Sequence, residues 1–403
     1  MKILFLTLGK ITSLSDRGIY TDLLSEFVEN GDEVYVVSPT ERREKGKTTL
    51  ITKDGYKALV VSTLNIQKTS LIEKGVSTLL IEYQYLSAIK KYFADVKFDL
   101  VLYSTPPITF FKVVKYIKKR DCAYSYLLLK DIFPQNAVDM GMLKKNGLLH
   151  KFFLKKERKL YDISDRIGCL SEANINFLRK HNPEINFDNV EVNPNTINPI
   201  KFNIAPEEKL EIRNKYGLPV NKKIFAYGGN LGVPQGLDFL LETIKHSVSE
   251  NAFFLIVGTG TEFQRLKKWF DASLPSNALL LAGLPKKDFD TLLSACDVGL
   301  VFLHKNFTIP NFPSRLLSYL EMGLPVLSAT DAATDVGTTV ENARSGYSVL
   351  CGDLEMMLDK VNVLSNQSDE DYNKMRTNAW NLLNNEFHVH RSYKLIKNCV
   401  KDV

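Results

Sequence analysis

Cysteine is scarce in this chain, and what there is stands apart. Cys122, Cys169, Cys296, Cys351 and Cys399 are scattered over 403 residues with no paired spacing. That pattern excludes a disulfide scaffold and a cysteine metal site, and it fits small buried hydrophobes in a reducing compartment. Long apolar runs are also missing. The longest, such as Leu79 to Leu86, fall far short of the ~20 residues that span a bilayer. Met1-Lys2 leads straight into "ILFLTL", which is expected to be a first strand and not a signal peptide.

Other absences narrow the chemistry. The turn Gly258-Thr259-Gly260 lacks a third glycine at dinucleotide-binding spacing, because Phe263 occupies that place. The strand "EVYVV" ends in Ser38-Pro39, without an acid for a ribose. A nicotinamide enzyme is therefore poorly supported. No carboxylate cluster is arranged for a metal, so no metal ion or other cofactor is expected.

What is present suits a two-domain globular protein. Hydrophobic residues make up 44% and charged residues 24% of the chain, and its length exceeds one comfortable core. The first half alternates strands and helices. "KILFLTL", "EVYVVSP", "DLVLYSTPP", "AYSYLLLKDIFP", "RIGCLSE" and "NVEVNPN" read as strands. Between them lie helices at "GIYTDLLSEFVENG", around Leu79 to Phe93, and at residues 112–119, and the strand before Pro134 is expected to end at Asp131. A second alternation starts after Asn198-Pro199 and runs from "KKIFAYGGNLG" to "PVLSAT". Continuous apolar strands separated by helices predict parallel sheets covered on both faces, here two Rossmann-like doubly wound domains, residues 1–198 and 199–403. The last helix, near Arg391 to Val400, is set apart and is free to pack on the first domain. Ligands of such sheets bind at the carboxyl ends of the strands, and two facing domains would place that site in a central cleft.

Three strand ends of the second half converge on one chemistry. Tyr227-Gly228-Gly229-Asn230-Leu231-Gly232 and Gly258-Thr259-Gly260 are glycine turns that let backbone approach a diphosphate closely. The third is a helix expected to open at Pro313-Ser314-Arg315, with unpaired N–H groups and the positive end of its dipole. Arg315 stands where a dipole prefers an acid. Either it holds an anion, a phosphate by preference, or it is an ordinary surface arginine, and the segment alone admits both.

The net charge of +6 is concentrated. Between Met140 and Leu160 seven basic residues, including Lys151, Lys155, Lys156 and Lys159, face a single acid, Glu157. Leu148, Leu149, Phe152, Phe153 and Leu154 are interleaved. Such a helix suits an anionic membrane surface, and equally a solvated helix with its apolar stripe on the core. It carries no groove-reading motif, so nucleic acid is not an expected partner.

"FAYGGNLGVPQGLDFLL", "LIVGTGTEFQRL", "LLSACDVGLVFL", "FPSRLLSYLEMGLPVLSATD" and "SGYSVLCGD" occur in an order that resembles bacterial glycosyltransferases of family 4 with the GT-B fold. "LLLKDIFPQNAVDMGML", "RIGCLSE" and "VNPNTINPIKF" resemble that family's acceptor-domain strand end, its "LS" strand and its linker. The likeness covers almost the whole chain and is nearest to the branch that builds capsule and O-antigen repeat units on a lipid carrier. It implies an acceptor-binding first domain and a donor-binding second domain. It further implies that Gly258 and Gly260 approach the donor nucleotide together with Gly229 and Asn230, that Ser314 and Arg315 meet the diphosphate, and that Asp131 sits near the reacting centre. The bland alternative is that Asp131 caps the turn before Pro134. Asp331 and Asp335 are candidates for sugar hydroxyls or simply solvated loop acids.

The departures from that family matter. Its Arg and Lys on the first donor-domain loop are replaced by Asn230 and Gln235, and its pair of Glu residues by Pro310 and Ser318. Glu321 is the remaining candidate for the ribose, and Arg17, beside Gly18 in the first loop, and Lys10 are candidates for further neutralisation.

The resemblance thus implies a retaining hexosyl or N-acetylhexosaminyl transferase acting from a nucleotide-diphosphate sugar, UDP-linked, onto a lipid-linked saccharide. It would work in the cytoplasm, at the inner face of the cell membrane. The alternatives are a nucleotide-sugar epimerase of the same fold, which would need acid and base groups that six histidines scarcely supply, or a non-catalytic binding subunit.

Overall fold

Ile3 to Leu6 are fully buried, as are Leu100 to Tyr103 beside them, and runs buried on both faces belong in the middle of a sheet. The computed structural model describes residues 1–66, 69 and 71–401. It divides into two units, Met1–Asn198 with Val389–Val403, and Pro199–His388.

The first unit begins with β1 (Lys2–Leu6), α1 (Ile19–Glu29), β2 (Glu33–Glu41), β3 (Thr49–Lys53) and β4 (Tyr56–Thr63). It continues through α2 (Leu71–Tyr92), β5 (Leu100–Ser104), α3 (Phe111–Asp121), β6 (Tyr124–Leu129) and α4 (Gln135–Asp139). It closes with α5 (Leu148–Ile163), β7 (Arg166–Cys169), α6 (Glu172–His181) and β8 (Val190–Val192). The eight strands lie in the order β3-β4-β2-β1-β5-β6-β7-β8, parallel except for β3 against β4. Helix α1 ends where Gly31 takes φ +82°, a conformation that an L side chain resists.

The second unit runs α7 (Pro206–Lys215), β9 (Lys223–Asn230), α8 (Leu237–His246), β10 (Ala252–Thr259), α9 (Phe263–Ser273), β11 (Ala278–Ala282) and α10 (Lys286–Ser294). Then come β12 (Val298–Phe302), α11 (Arg315–Glu321), β13 (Val326–Thr330), α12 (Val336–Asn342), β14 (Gly346–Leu350), α13 (Leu354–Asn366) and α14 (Asp369–Glu386). Its six strands are all parallel, in the order β11-β10-β9-β12-β13-β14. Chain order reverses between β9 and β12, and crevices in such sheets open at that point.

The last helix, α15 (Val389–Lys401), packs on the first unit. Val389 N–H donates to the Ile197 carbonyl, and Lys397 pairs with Asp32 at 2.6 Å. Among the described residues no helix is long and apolar enough to cross a membrane.

Two local expectations need correction. Strand β6 ends at Leu129, two residues before Asp131, because Lys130 and Asp131 turn their N–H groups to the Thr105 hydroxyl. Helix α2 begins at Leu71, well before Leu79.

Candidate functional site

Helix α11 is seated by Tyr319. Its phenol donates to the Leu300 carbonyl at 3.0 Å and accepts from the Gly228 N–H at 3.1 Å. Burial pushes that phenol up to about 12, so it stays a donor throughout the physiological range. A side chain at residue 299 would collide with the Tyr319 ring, so only glycine lets the helix come this close. Residues four apart share a helix face, and Arg315 therefore points the same way as Tyr319, toward the end of β9.

There the Arg315 guanidinium lies over the Tyr227 ring, 4.4 Å from its centroid. A cation over an aromatic face is attracted by the ring quadrupole, the more so when both are shielded from water. Gly229, at φ +115°, passes beneath, and a methyl group there would touch the guanidinium at 3.8 Å. Arg315 is half-buried, and among the described residues its Nη1 has no hydrogen-bond partner. A buried cationic donor left unsatisfied is costly, and an anion accepting from it would remove that cost.

The helix end itself contributes less than expected. Helix α11 begins at Arg315, with Ser314 exposed as its cap, and has only seven residues. The N–H groups of Leu316 and Leu317 already donate to the Pro313 and Ser314 carbonyls, at 3.1 Å each. The first turn has tightened, so the expectation of a row of unpaired donors is corrected, and the burden of charge rests on Arg315.

Gly258 and Gly260 serve the fold directly. A Cβ on Gly258 would lie 2.0 Å from the Gly229 carbonyl oxygen, and one on Gly260 would lie 2.1 Å from that of Leu231. Their bareness lets the β9 and β10 loops nest, held by Leu231 N–H to the Thr259 carbonyl at 2.9 Å and Glu262 N–H to that of Leu231 at 2.9 Å. Asn230 and Gln235 bond to each other at 3.1 Å, and Gln235 also accepts from Gly232 N–H. Ser318 is half-buried on α11.

Glu321 is corrected. It is 2% exposed at the far end of α11, and its carboxylate accepts the Ile200 N–H at 2.9 Å, so it fixes backbone. Asp331 is also a fixing group, with one oxygen on Ala333 N–H and Thr334 N–H and the other on the Thr334 hydroxyl. Burial raises its carboxyl above the usual range.

In the first unit, Asp131 follows β6, and its carboxylate accepts from Asn136 Nδ2 at 2.7 Å. Beside it stands a residue that sequence reasoning passed over. Lys130 donates through Nζ to the carbonyls of Asn193 and Pro194, at 3.2 Å each, and burial pushes its ammonium down to about 7. A lysine closing the apolar run "LLLK" was the available signal. Arg17 donates to the Asn198 carbonyl at 2.8 Å, while Gly18 precedes α1 in extended backbone. Lys10 forms an exposed ion pair with Glu44.

Helix α5 exposes Lys151, Lys155 and Lys159, with Lys156 half-buried. Its inner face carries Phe153 edge-on against Phe133, at 5.0 Å, two residues from Asp131. Among the described residues no group of three or more His, Cys, Asp or Glu side chains is arranged to hold a metal ion.

Residues 208–381 match the family model described as glycosyl transferases group 1. The probable glycosyltransferase WbjE of Pseudomonas aeruginosa is 23% identical over 286 residues, 70% of this chain and 69% of that protein. The putative colanic acid biosynthesis glycosyl transferase WcaI of Escherichia coli strain K12 is 26% identical over 234 residues, 57% of this chain and 56% of its own length. Among solved structures, sucrose-phosphate synthase from Thermosynechococcus elongatus superposes with a TM-score of 0.76 at 14% identity, covering 100% of this chain and 98% of that one. Anabaena HepE in complex with UDP and glucose gives a TM-score of 0.71 at 14% identity, covering both chains fully at 100%. Residues 208–381, within the second unit, thus match the group 1 glycosyl transferase model, in a chain whose two parallel-sheet domains have the GT-B fold.

Proposed function

We propose that this protein is a retaining glycosyltransferase that moves a hexosyl or N-acetylhexosaminyl group from a UDP-linked sugar to a lipid-linked saccharide in cell-surface polysaccharide assembly. The observation that carries the reading is the Nη1 of Arg315, unsatisfied among the described residues, held over Tyr227 and beside Gly229 at the sheet's switch point. A UDP complex of the similar HepE and the naming of WcaI as a putative colanic acid biosynthesis glycosyl transferase support the choice of donor and process.

Breaking the bond between sugar and phosphate leaves negative charge on the departing diphosphate. Preorganised donors at that position lower the barrier, and Arg315 is the chief one. The leaving phosphate accepts the acceptor hydroxyl's proton, so no separate base and no metal ion is required in this proposal. Asp131 is assigned to the acceptor side, where a carboxylate oriented by Asn136 steadies positive charge on the sugar. The basic helix α5 is assigned to an anionic membrane surface on the cytoplasmic side.

One observation favours a second reading. The amide pair Asn230–Gln235 stands where the resembled family carries cations, and the pair satisfies itself. A subunit that binds the nucleotide without turnover would look like this. Nucleotide sugars screened against an undecaprenyl-diphosphate sugar, with product mass and anomeric configuration as readouts, separate the two. Product of retained configuration is expected. Tight UDP binding with no product from any donor would contradict the enzyme reading.

A further inference from the structure

Among the described residues of the first unit, every large apolar side chain that stands exposed falls on α2 or in the segment from Met142 to Leu154. On α2, Val76, Leu80 and Tyr83 are spaced four and three apart and form one stripe, with Tyr83 51% exposed. On α5 the counterparts are Leu148, Leu149 and Phe152, with Leu148 88% exposed. Helix α3 lies between them, touching both, and the cations bridge the gap. Lys112 of α3 sits 4.3 Å from the centroid of the Tyr83 ring. Lys159 of α5 lies 5.7 Å from that of Phe111, and Lys156 lies 5.7 Å from that of Phe152. The acids in the middle of this face turn inward. Glu82 is 1% exposed and accepts the Lys112 N–H, and Glu157 is 3% exposed and accepts from the Tyr161 hydroxyl.

Apolar stripes separated by outward lysines fit few occupants. The core of a protein interface is depleted in lysine. A second copy of this chain would bring the same cations face to face. An anionic bilayer satisfies both parts, taking apolar side chains into its acyl boundary and ammonium groups among its phosphates.

We propose that the first unit docks on an anionic bilayer through α2, α3 and α5 together, with Val76, Leu80 and Tyr83 entering the lipid alongside the start of α5. This rests on the membrane reading of α5 and widens it to a second apolar stripe. Because the stripe is solvent-facing, its loss leaves the core intact.

The test uses the full chain and vesicles of phosphatidylglycerol with phosphatidylcholine, and of phosphatidylcholine alone. Three variants are compared with wild type: Val76→Ser/Leu80→Ser/Tyr83→Ser, Lys151→Glu/Lys155→Glu/Lys156→Glu/Lys159→Glu, and Tyr83→Trp. The serine variant is expected to lose vesicle binding at least about tenfold, and the tryptophan at 83 to be quenched by brominated lipid, both only with the anionic vesicles. Wild-type binding by the serine variant, with an unquenched tryptophan and lost binding in the glutamate variant, would overturn the α2 contact and leave α5 as the whole footprint. Unchanged binding by the glutamate variant would overturn the membrane reading itself.

Discussion

The Arg315 guanidinium rests on the face of Tyr227, 4.4 Å from the ring centroid, and one of its nitrogens is buried with no hydrogen-bond partner among the described residues. The ring holds the cation without neutralising it, as a carboxylate would, and so keeps it available to an anion. Tyr227→Phe retains the face and loses the hydroxyl, with its bond to the Asn230 carbonyl and its interaction with Arg315. It is expected to bind UDP within a few-fold of wild type. Tyr227→Leu removes the face and is expected to weaken binding by about 2–30-fold, the range of a cation–π contact of ~0.5–2 kcal/mol. Titration calorimetry of the two variants checks this, and equal affinities would separate the ring from the site.

The glycine turns make opposite demands. Gly260→Ala would drive a methyl group into the Leu231 backbone and is expected to cost about 1–3 kcal/mol through overpacking. Gly229→Ala meets nothing closer than Arg315 at 3.8 Å, so its cost, about 1 kcal/mol, comes from the positive φ alone. Thermal unfolding should therefore rank wild type, Gly229→Ala and Gly260→Ala in falling stability.

Asp131 and Asn136 form one oriented pair at 2.7 Å. Asp131→Asn removes the charge and keeps the shape. It is expected to lower kcat by about 100-fold or more while leaving UDP affinity within about twofold. A parallel loss of UDP binding would place Asp131 in a structural role instead.

Two buried groups in the first unit predict opposite pH trends. Burial pushes the Glu157 carboxyl up to about 8, partly offset by the Tyr161 hydrogen bond. The folded state then holds a proton that the unfolded state has released, so stability falls as pH rises from the ordinary carboxylate range through 8. Glu157→Gln should gain on wild type across that window, by on the order of 1–3 kcal/mol. Lys130, pushed down to about 7 by burial, works the other way. The unfolded state binds the extra proton above pH 7, so the destabilisation is complete below 7 and is relieved as pH rises toward the ordinary lysine range. Lys130→Met should therefore compare best with wild type near pH 6 and lose that advantage by pH 10. Thermal unfolding against pH reads both trends.

The alternating apolar strands were enough to reach the α/β class and the parallel sheets, because strands buried on both faces leave an unbroken hydrophobic run. The pair β3 and β4 was not foreseen. Thr49 to Lys53 is a short edge strand of mixed polarity, and the Asp54-Gly55 turn that closes the hairpin was the cue. Helices α13 and α14 were also missed, the second being polar over most of its length. Within the candidate site, Arg315 and the glycine turns were visible because each is a local pattern. Tyr227 beneath Arg315 was not, since that contact depends on β9 meeting α11 from far along the chain. The true partners of Glu321 and Lys10, Ile200 and Glu44, are likewise set by tertiary packing.

UDP titrated calorimetrically into wild type and Arg315→Ala bears most directly on the whole account. Wild type is expected to bind, and the variant to bind at least about tenfold more weakly with unchanged thermal unfolding, as loss of a charge-assisted hydrogen bond requires. An Arg315→Ala protein that folds normally and binds UDP as tightly as wild type would contradict it.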